Sequence, residues 1–292
     1  MKQMVQVTAA SLLLGSGTAM GALFSEDFND GLASTRWSIV SQQEGVVGPD
    51  GSVDFNFDYS TLGIANPGGG SDTTGVFLQF NKTDQVGNEG ESYSIYPNGQ
   101  SFSGDMALEL DMFVYNDGGG GSTEHGMAGL FLDNNSPVSP YEFGVDGGPL
   151  AWVYSGEGGD GTGDLGVYAE GGVGNTGYTG LGDYVDQATL PTGFVATLGP
   201  AAPPNDRGAW VKVRIEVVGT TINWLLNGTI MDSYDNSGGF YTTGNILVGG
   251  MDVFNSANGN NGVIIDNVVV TPEPASMALL AMGGLAMLRR RA

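Results

Sequence analysis

The sequence predicts an all-β fold, and three observations carry that prediction. From Leu23 to Val270, short runs rich in Val, Ile, Phe and Tyr alternate with clusters of Gly, Asn, Asp and Ser, the pattern of strands separated by turns. The 51 glycines and a charged fraction of 14% favour many turns over long helices. Before residue 275, no window holds apolar residues at the spacing of an amphipathic helix.

Taken in order, strands are predicted at 24–28, 37–40, 53–59, 76–80, 92–96 and 106–115. They continue at 126–132, 141–145, 151–154 and 165–169, and then at 194–197, 210–218, 221–226, 229–234, 245–251 and 263–270. The clearest stretch begins at Trp210. Val211, Val213, Ile215 and Val217 fall on one face of an alternating strand, and Lys212, Arg214 and Glu216 on the other. Gly219 and Thr220 turn the chain, after which Ile222, Trp224 and Leu226 continue an apolar face. Asn227-Gly228 then marks a two-residue hairpin, whose central positions both need positive φ. Residues 144–182 are crowded with Gly and carry the acids Glu157, Asp160, Asp164 and Glu170, reading either as long rim loops or as small strands on loose turns. Residues 188–204 read as an exposed connection. Neither stretch has the character of a domain linker, so residues 23–270 are taken as one domain.

A net charge of −23 repels anionic membrane surfaces, attracts cations and excludes nucleic acid as a partner. Without cysteine there is no disulfide framework and no thiol chemistry. At the N-terminus, Lys2, a weakly apolar stretch over 5–14 and the small residues Ala19-Met20-Gly21-Ala22 read as a signal peptide over residues 1–22. The alternative there is an apolar first strand.

The C-terminus is more specific. Thr271-Pro272-Glu273-Pro274 is followed by an uncharged, Ala-, Leu- and Met-rich run over 275–288, then by Arg289, Arg290 and Arg291. The prolines are expected to stop the preceding strand. The apolar run is expected to form a short hydrophobic helix, about 21 Å long against a hydrocarbon core of about 30 Å. The arginines mark its cytoplasmic end. Residues 271–292 resemble the PEP-CTERM sorting tail of Gram-negative exported proteins, with Pro272, Glu273, Pro274 and the arginine cluster matching that motif. The resemblance implies export across the inner membrane, transient membrane insertion, and removal of the tail by an exosortase-type enzyme. The destination would be the cell surface, the outer membrane or the extracellular matrix. An ordinary C-terminal hydrophobic anchor is the alternative. Lys2, Arg289, Arg290 and Arg291 lie in the segments to be lost, so processing would leave a more acidic body.

The body carries a second resemblance. Glu26-Asp27-Phe28-Asn29-Asp30-Gly31 with Trp37 downstream, the Trp210-to-Gly228 hairpin and the closing Ile265-Asp266-Asn267-Val268 are similar to laminin-G-like, or concanavalin-like, jelly-roll domains. That resemblance implies a two-sheet antiparallel β-sandwich in which residues 24–28 lie beside residues 263–270. By the same analogy a structural calcium ion would bridge the first and last strands through Glu26, Asp27 and Asp266, with Asp30 nearby. Solvated acids and turn caps are the alternative for these four residues. The resemblance also implies carbohydrate binding or a place in the cell-surface matrix, by analogy to a fold that hosts many functions.

No complete catalytic motif is present, and the chain is read as a non-enzyme. Glu109 and Asp111 begin a laminarinase-like acidic pattern, but Phe113 or Val114 occupies the proton donor's place. They are expected on the solvated side of an ordinary strand. His125, the sole histidine, is expected at a strand edge or in a loop. Tyr115, Trp152, Tyr154 and Tyr168 are the aromatic candidates for a sugar-stacking platform, with a core role as the alternative for Trp152. Trp37, Trp210 and Trp224 are read as core. The expected function is an exported surface or matrix protein associated with extracellular polysaccharide. The alternative is a glycan-active hydrolase or lyase with an unrecognised carboxylate pair.

Overall fold

The computed structural model describes residues 22–45, 48–83, 88–115, 124–133, 138–139, 144–145, 150–155, 165–168, 210–252 and 261–273. Two antiparallel sheets face one another, as the resemblance implies. At the centre of the first sheet is β7 (Met106–Tyr115), lying between β13 (Trp210–Val218) and β17 (Gly262–Pro272). Outside β13 come β14 (Thr221–Leu226) and β15 (Thr229–Asp235), and outside β17 come β4 (Thr74–Gln79) and β3 (Ser52–Asp58). In the second sheet β16 (Thr243–Asp252) lies between β8 (Glu124–Leu132) and β5 (Asn88–Pro97). Beyond β8 are β11 (Leu150–Ser155) and β12 (Leu165–Tyr168), and beyond β5 is β2 (Trp37–Gly45).

The first and last strands meet. The short β1 (Phe24–Glu26) pairs antiparallel with β17, with Phe24 opposite Val270, Ser25 opposite Val269 and Glu26 opposite Val268. This is the pairing expected from the chain ends.

Alternation builds the core. Leu108, Leu110, Met112 and Val114 of β7 face inward with Val211, Val213, Ile215 and Val217 of β13 and Ile222, Trp224 and Leu226 of β14. Ile246 and Val248 of β16 and Ala128 and Leu130 of β8 join them from the other sheet. Each fully buried aliphatic or aromatic side chain contributes about 1.5–3 kcal/mol. Gly126 has a steric task in this packing, because a Cβ there would lie 2.1 Å from Met112 Sδ. Asn227 and Gly228 adopt φ of 48° and 79°, as the hairpin signal requires. Trp37 and Trp224 are core, as expected, while Trp210 is half-buried on the outer side of the first sheet.

Several local features depart from expectation. Tyr59 leaves β3 and begins a 3-10 turn, Tyr59–Leu62, because Asp58 accepts a 3.0 Å bond from the Ser60 N–H and Gly63 ends the turn at φ 76°. A one-turn helix α1 (Ala33–Arg36) precedes β2, and two-residue ladders form at β6 (Phe102–Ser103), β9 (Val138–Ser139) and β10 (Gly144–Val145). The last strand does not stop ahead of the prolines, since Thr271 pairs with Ala107 and Pro272 with Met106. Proline is tolerated there because β1 pairs with β17 only as far as Val270, which leaves Pro272 at an edge position with β7 on one side. The expected strand at 194–197 and the apolar run at 275–288 lie outside the described residues. Among the described residues, no helix is long and apolar enough to cross a membrane.

Candidate functional site

Three polar clusters hold acids on which function was expected to rest, and a fourth lies on the second sheet. The first is the corner where β1 enters the sandwich. Glu26 is buried against Val268, and its carboxylate accepts from Arg36 Nε and Nη2 at 2.8 Å each, Trp37 Nε1 at 3.2 Å and the Phe28 N–H at 3.0 Å. Four donors fill the lone-pair directions of one carboxylate. Asp30 grips the same guanidinium at 2.8 and 2.9 Å, and that bond holds its pKa below the usual carboxylate value. Asp27 receives the Asn29 N–H at 3.2 Å. The donor set does not fit calcium, because a guanidinium already sits where a dication would have to bind. Among the described residues, no three acids or histidines are grouped so as to hold a metal ion.

Asp266 lies in a separate cluster. A bulge between Asp266 and Val269, with Asn267 at φ 53°, lets Ile265 and Val268 both face the core and leaves Asp266 on the outer side. The buried carboxylate accepts Tyr59 Oη at 3.0 Å and the Asn267 N–H at 2.7 Å. Burial pushes its pKa up to about 6 despite these bonds, with Asp111 adding repulsion. Tyr59, Ile64, Phe77, Phe113, Tyr115 and Ile264 make an apolar cluster on this side, and Trp210 Nε1 donates to the Ala65 carbonyl at 2.7 Å. Tyr115 is therefore no stacking platform. It is 4% exposed and meets Phe77 edge-on with ring centres 6.4 Å apart.

The third cluster surrounds Arg214. Glu109 and Asp111 do lie on the outer face of β7, but both are ion-paired rather than merely solvated. Asp111 meets Lys212 Nζ at 2.8 Å and also accepts Asn267 Nδ2 at 3.0 Å. Arg214 binds Glu109 through Nη1, Glu216 through Nε at 2.9 Å and Glu273 through Nη2. Burial alone would lower the Arg214 pKa, and the bonds to Glu216 and Glu109 more than reverse it. Glu273 is 7% exposed; burial raises its pKa, and Arg214 opposes the rise. The Glu273 N–H donates to the Asp105 carbonyl at 3.2 Å.

The fourth cluster was not anticipated. Glu91 on β5, Asp252 on β16 and Glu124 on β8 stand in one register row across the second sheet and are 0%, 1% and 2% exposed. Glu91 accepts the Gly51 N–H at 3.0 Å and the Asn81 N–H at 2.6 Å, and Asn81 Nδ2 donates to Asp252 at 3.0 Å. Burial raises the Glu91 pKa in spite of its donors. Such a row appears only once strands 30 to 160 residues apart are aligned. His125 corrects another expectation. It is not at an edge or in a loop but inside β8, opposite Met251, where burial lowers its pKa to about 3.

The remaining aromatic candidates are placed by register alone. Trp152 stands opposite Ala128 and Val167, Tyr154 opposite Gly126 and Leu165, and Tyr168 opposite Ala151. Pro274, Arg289, Arg290 and Arg291 lie outside the described residues.

Several solved structures are similar to this chain at low identity. The carbohydrate recognition domain of Emp46p is 10% identical, with 83% of this chain and 91% of that chain covered at a TM-score of 0.46. A Bacillus subtilis protein of unknown function with a galectin-like fold is 10% identical over 87% and 96% of the two chains, at 0.42. A glycosyl hydrolase family protein from Mycobacterium fortuitum is 9% identical over 86% and 100%, at 0.42. These likenesses do not bear on ligand or activity. No curated protein matches the sequence. Residues 270–292 match the PEP-CTERM protein-sorting motif, and the chain therefore carries that sorting motif at its C-terminal end.

Proposed function

We propose that this chain is an exported β-sandwich, delivered by its tail to the cell surface or extracellular matrix, where it associates with polysaccharide and catalyses nothing. On this reading residues 1–22 are a signal peptide, an exosortase-type enzyme removes the tail, and the sandwich is what remains outside. The observation that carries the proposal is the continuity of β17 with the sorting motif. The strand that pairs with both β1 and β7 runs directly into Pro272 and Glu273. Cargo and address are one uninterrupted piece of chain.

The polysaccharide part is supported by the resemblance of both chain ends to laminin-G-like and concanavalin-like domains, together with the β1–β17 pairing that this resemblance implied. The charge narrows the ligand. A body this acidic repels uronate- or sulfate-rich polymers, so neutral or amine-bearing glycans are the favoured class. The non-enzymatic part is supported by the acids of β7, which are engaged by Arg214 and Lys212.

The test uses protein recovered from culture after export, probed on an array of neutral, amine-bearing and acidic polysaccharides with and without EDTA. Retention on neutral or amine-bearing polymers is expected, and a blank array sinks the polysaccharide reading. Release of reducing ends from any arrayed polymer would replace it with the hydrolase reading. Mass measurement of the exported protein checks the sorting part, where loss of both terminal segments is expected.

A further inference from the structure

The match to the sorting motif begins at Val270, yet residues 270–273 belong to the folded body. Val270 is fully buried and pairs with Leu108, Thr271 pairs with Ala107, and Pro272 pairs with Met106. Glu273, the central residue of Pro-Glu-Pro, is held twice, by its N–H on the Asp105 carbonyl and by its carboxylate on Arg214. Arg214 cannot simply follow a departing Glu273, because Glu109 and Glu216 bind its other nitrogens. An enzyme that reads a short motif needs it as an accessible extended segment, whose backbone and side chains can enter a cleft. A segment already paired to β7 and clamped to β13 does not meet that condition.

We propose that the folded sandwich gates its own tail processing: Arg214 keeps the sorting motif docked on the body, and residues 271–273 must peel from β7 and Arg214 before a processing enzyme can take Pro272-Glu273-Pro274. This rests on the tail-sorting reading above and adds a regulatory contact to it. The apolar run starts at Ala275, immediately after the motif. No stretch of spacer therefore separates the fold from the segment expected in the membrane, and exposure of the motif has to come from local opening of β17. When opening and closing are fast, processing follows the population of the open form. Loss of one charge-assisted bond raises such a population about ten- to a hundredfold.

Two full-chain variants and two readouts test the gate. Arg214→Gln removes the clamp and leaves the motif intact. A six-residue Gly-Ser insertion between Thr271 and Pro272 keeps Arg214 but carries the motif clear of the body. In cells carrying an exosortase, pulse-chase of tail loss is expected to run about tenfold or more faster for both variants than for the natural chain. Independently of any enzyme, amide exchange in the purified full chain is expected to show Glu273 protected in the natural sequence. Arg214→Gln should remove that protection while Val268 stays protected, which separates peeling from unfolding. Exchange of the natural Glu273 amide at the rate of free chain overturns the gate. So does processing of both variants at the natural rate. If even the insertion variant keeps its tail, the sorting reading fails, and amide exchange alone then decides whether the clamp exists.

Discussion

Arg36 closes the corner where the chain enters the sandwich, and Arg214 holds the place where it leaves. Each guanidinium binds a buried glutamate and at least one more exposed acid: Glu26 and Asp30 for Arg36, Glu273 with Glu109 and Glu216 for Arg214. They differ in how far the chain must travel to make them. Glu26 and Asp30 lie ten and six residues from Arg36, whereas Glu109 and Glu273 lie 105 and 59 residues from Arg214. The first clamp can form within one corner and fixes β1. The second exists only after β7, β13 and β17 are aligned, and so it reports on the finished sheet. In a chain with a net charge of −23, a few cations at the joints do what disulfides or bound metal would do elsewhere.

The comparison can be broken most directly at Arg36. Arg36→Gln leaves the Glu26 carboxylate buried without its cation, a loss of several kcal/mol for a fully buried pair. Arg36 is itself 37% exposed, so screening reduces the expected cost to about 2–3 kcal/mol. A melting temperature lower by roughly 5–10 °C checks it. Calcium should not restore the variant, and a calcium-dependent recovery would mean that the corner accepts the ion after all.

Asp266 shows what happens to a buried acid that no arginine reaches. Its pKa of about 6 stands above its ordinary 3.8, so the folded chain holds this proton more tightly than the unfolded chain. Its contribution to stability is therefore greatest below the ordinary value and declines as pH rises through about 6, by about 3 kcal/mol in all. Asp266→Asn should flatten that decline in urea unfolding measured from pH 4 to 7. An unchanged slope would assign the decline to another group. His125 acts in the opposite sense, because burial depresses its pKa to about 3 while the unfolded chain takes a proton near 6.5. Stability from this residue is present above 6.5 and drains away as the solution is acidified, by about 1.4 kcal/mol per pH unit. His125→Gln should reduce that acid-side loss.

Arg214→Gln should cost less than Arg36→Gln, about 1.5 kcal/mol. Glu109 is half-exposed and returns to water, and only the end of β17 is released. Equal losses for the two variants would remove the distinction between them. The smallest effect expected is that of EDTA on the natural protein, with the melting temperature unmoved, since the Glu26 corner already holds its cation.

Some of this was legible in the sequence because its cause is local. The alternation of Val211 to Val217 fixes which face of β13 is buried, and Asn227-Gly228 fixes the hairpin, since both act through neighbouring residues. The Pro-Glu-Pro tail is a linear signal read as such. The segment from Glu26 to Asp30 was singled out as a calcium site, and the structure places Arg36 on two of its acids, Glu26 and Asp30. Arg36 carries a positive charge six residues past Asp30, and that proximity was the signal available. Tertiary structure alone decided the rest, because it sets distances that spacing in sequence does not encode. It put Glu91, Asp252 and Glu124 in one row, buried Tyr115 in a cluster with Tyr59 and Phe77, buried His125, and laid Glu273 on Arg214. The address at the end of the chain is written around three consecutive residues; on the gating proposal, whether it can be read depends on an arginine 59 residues away.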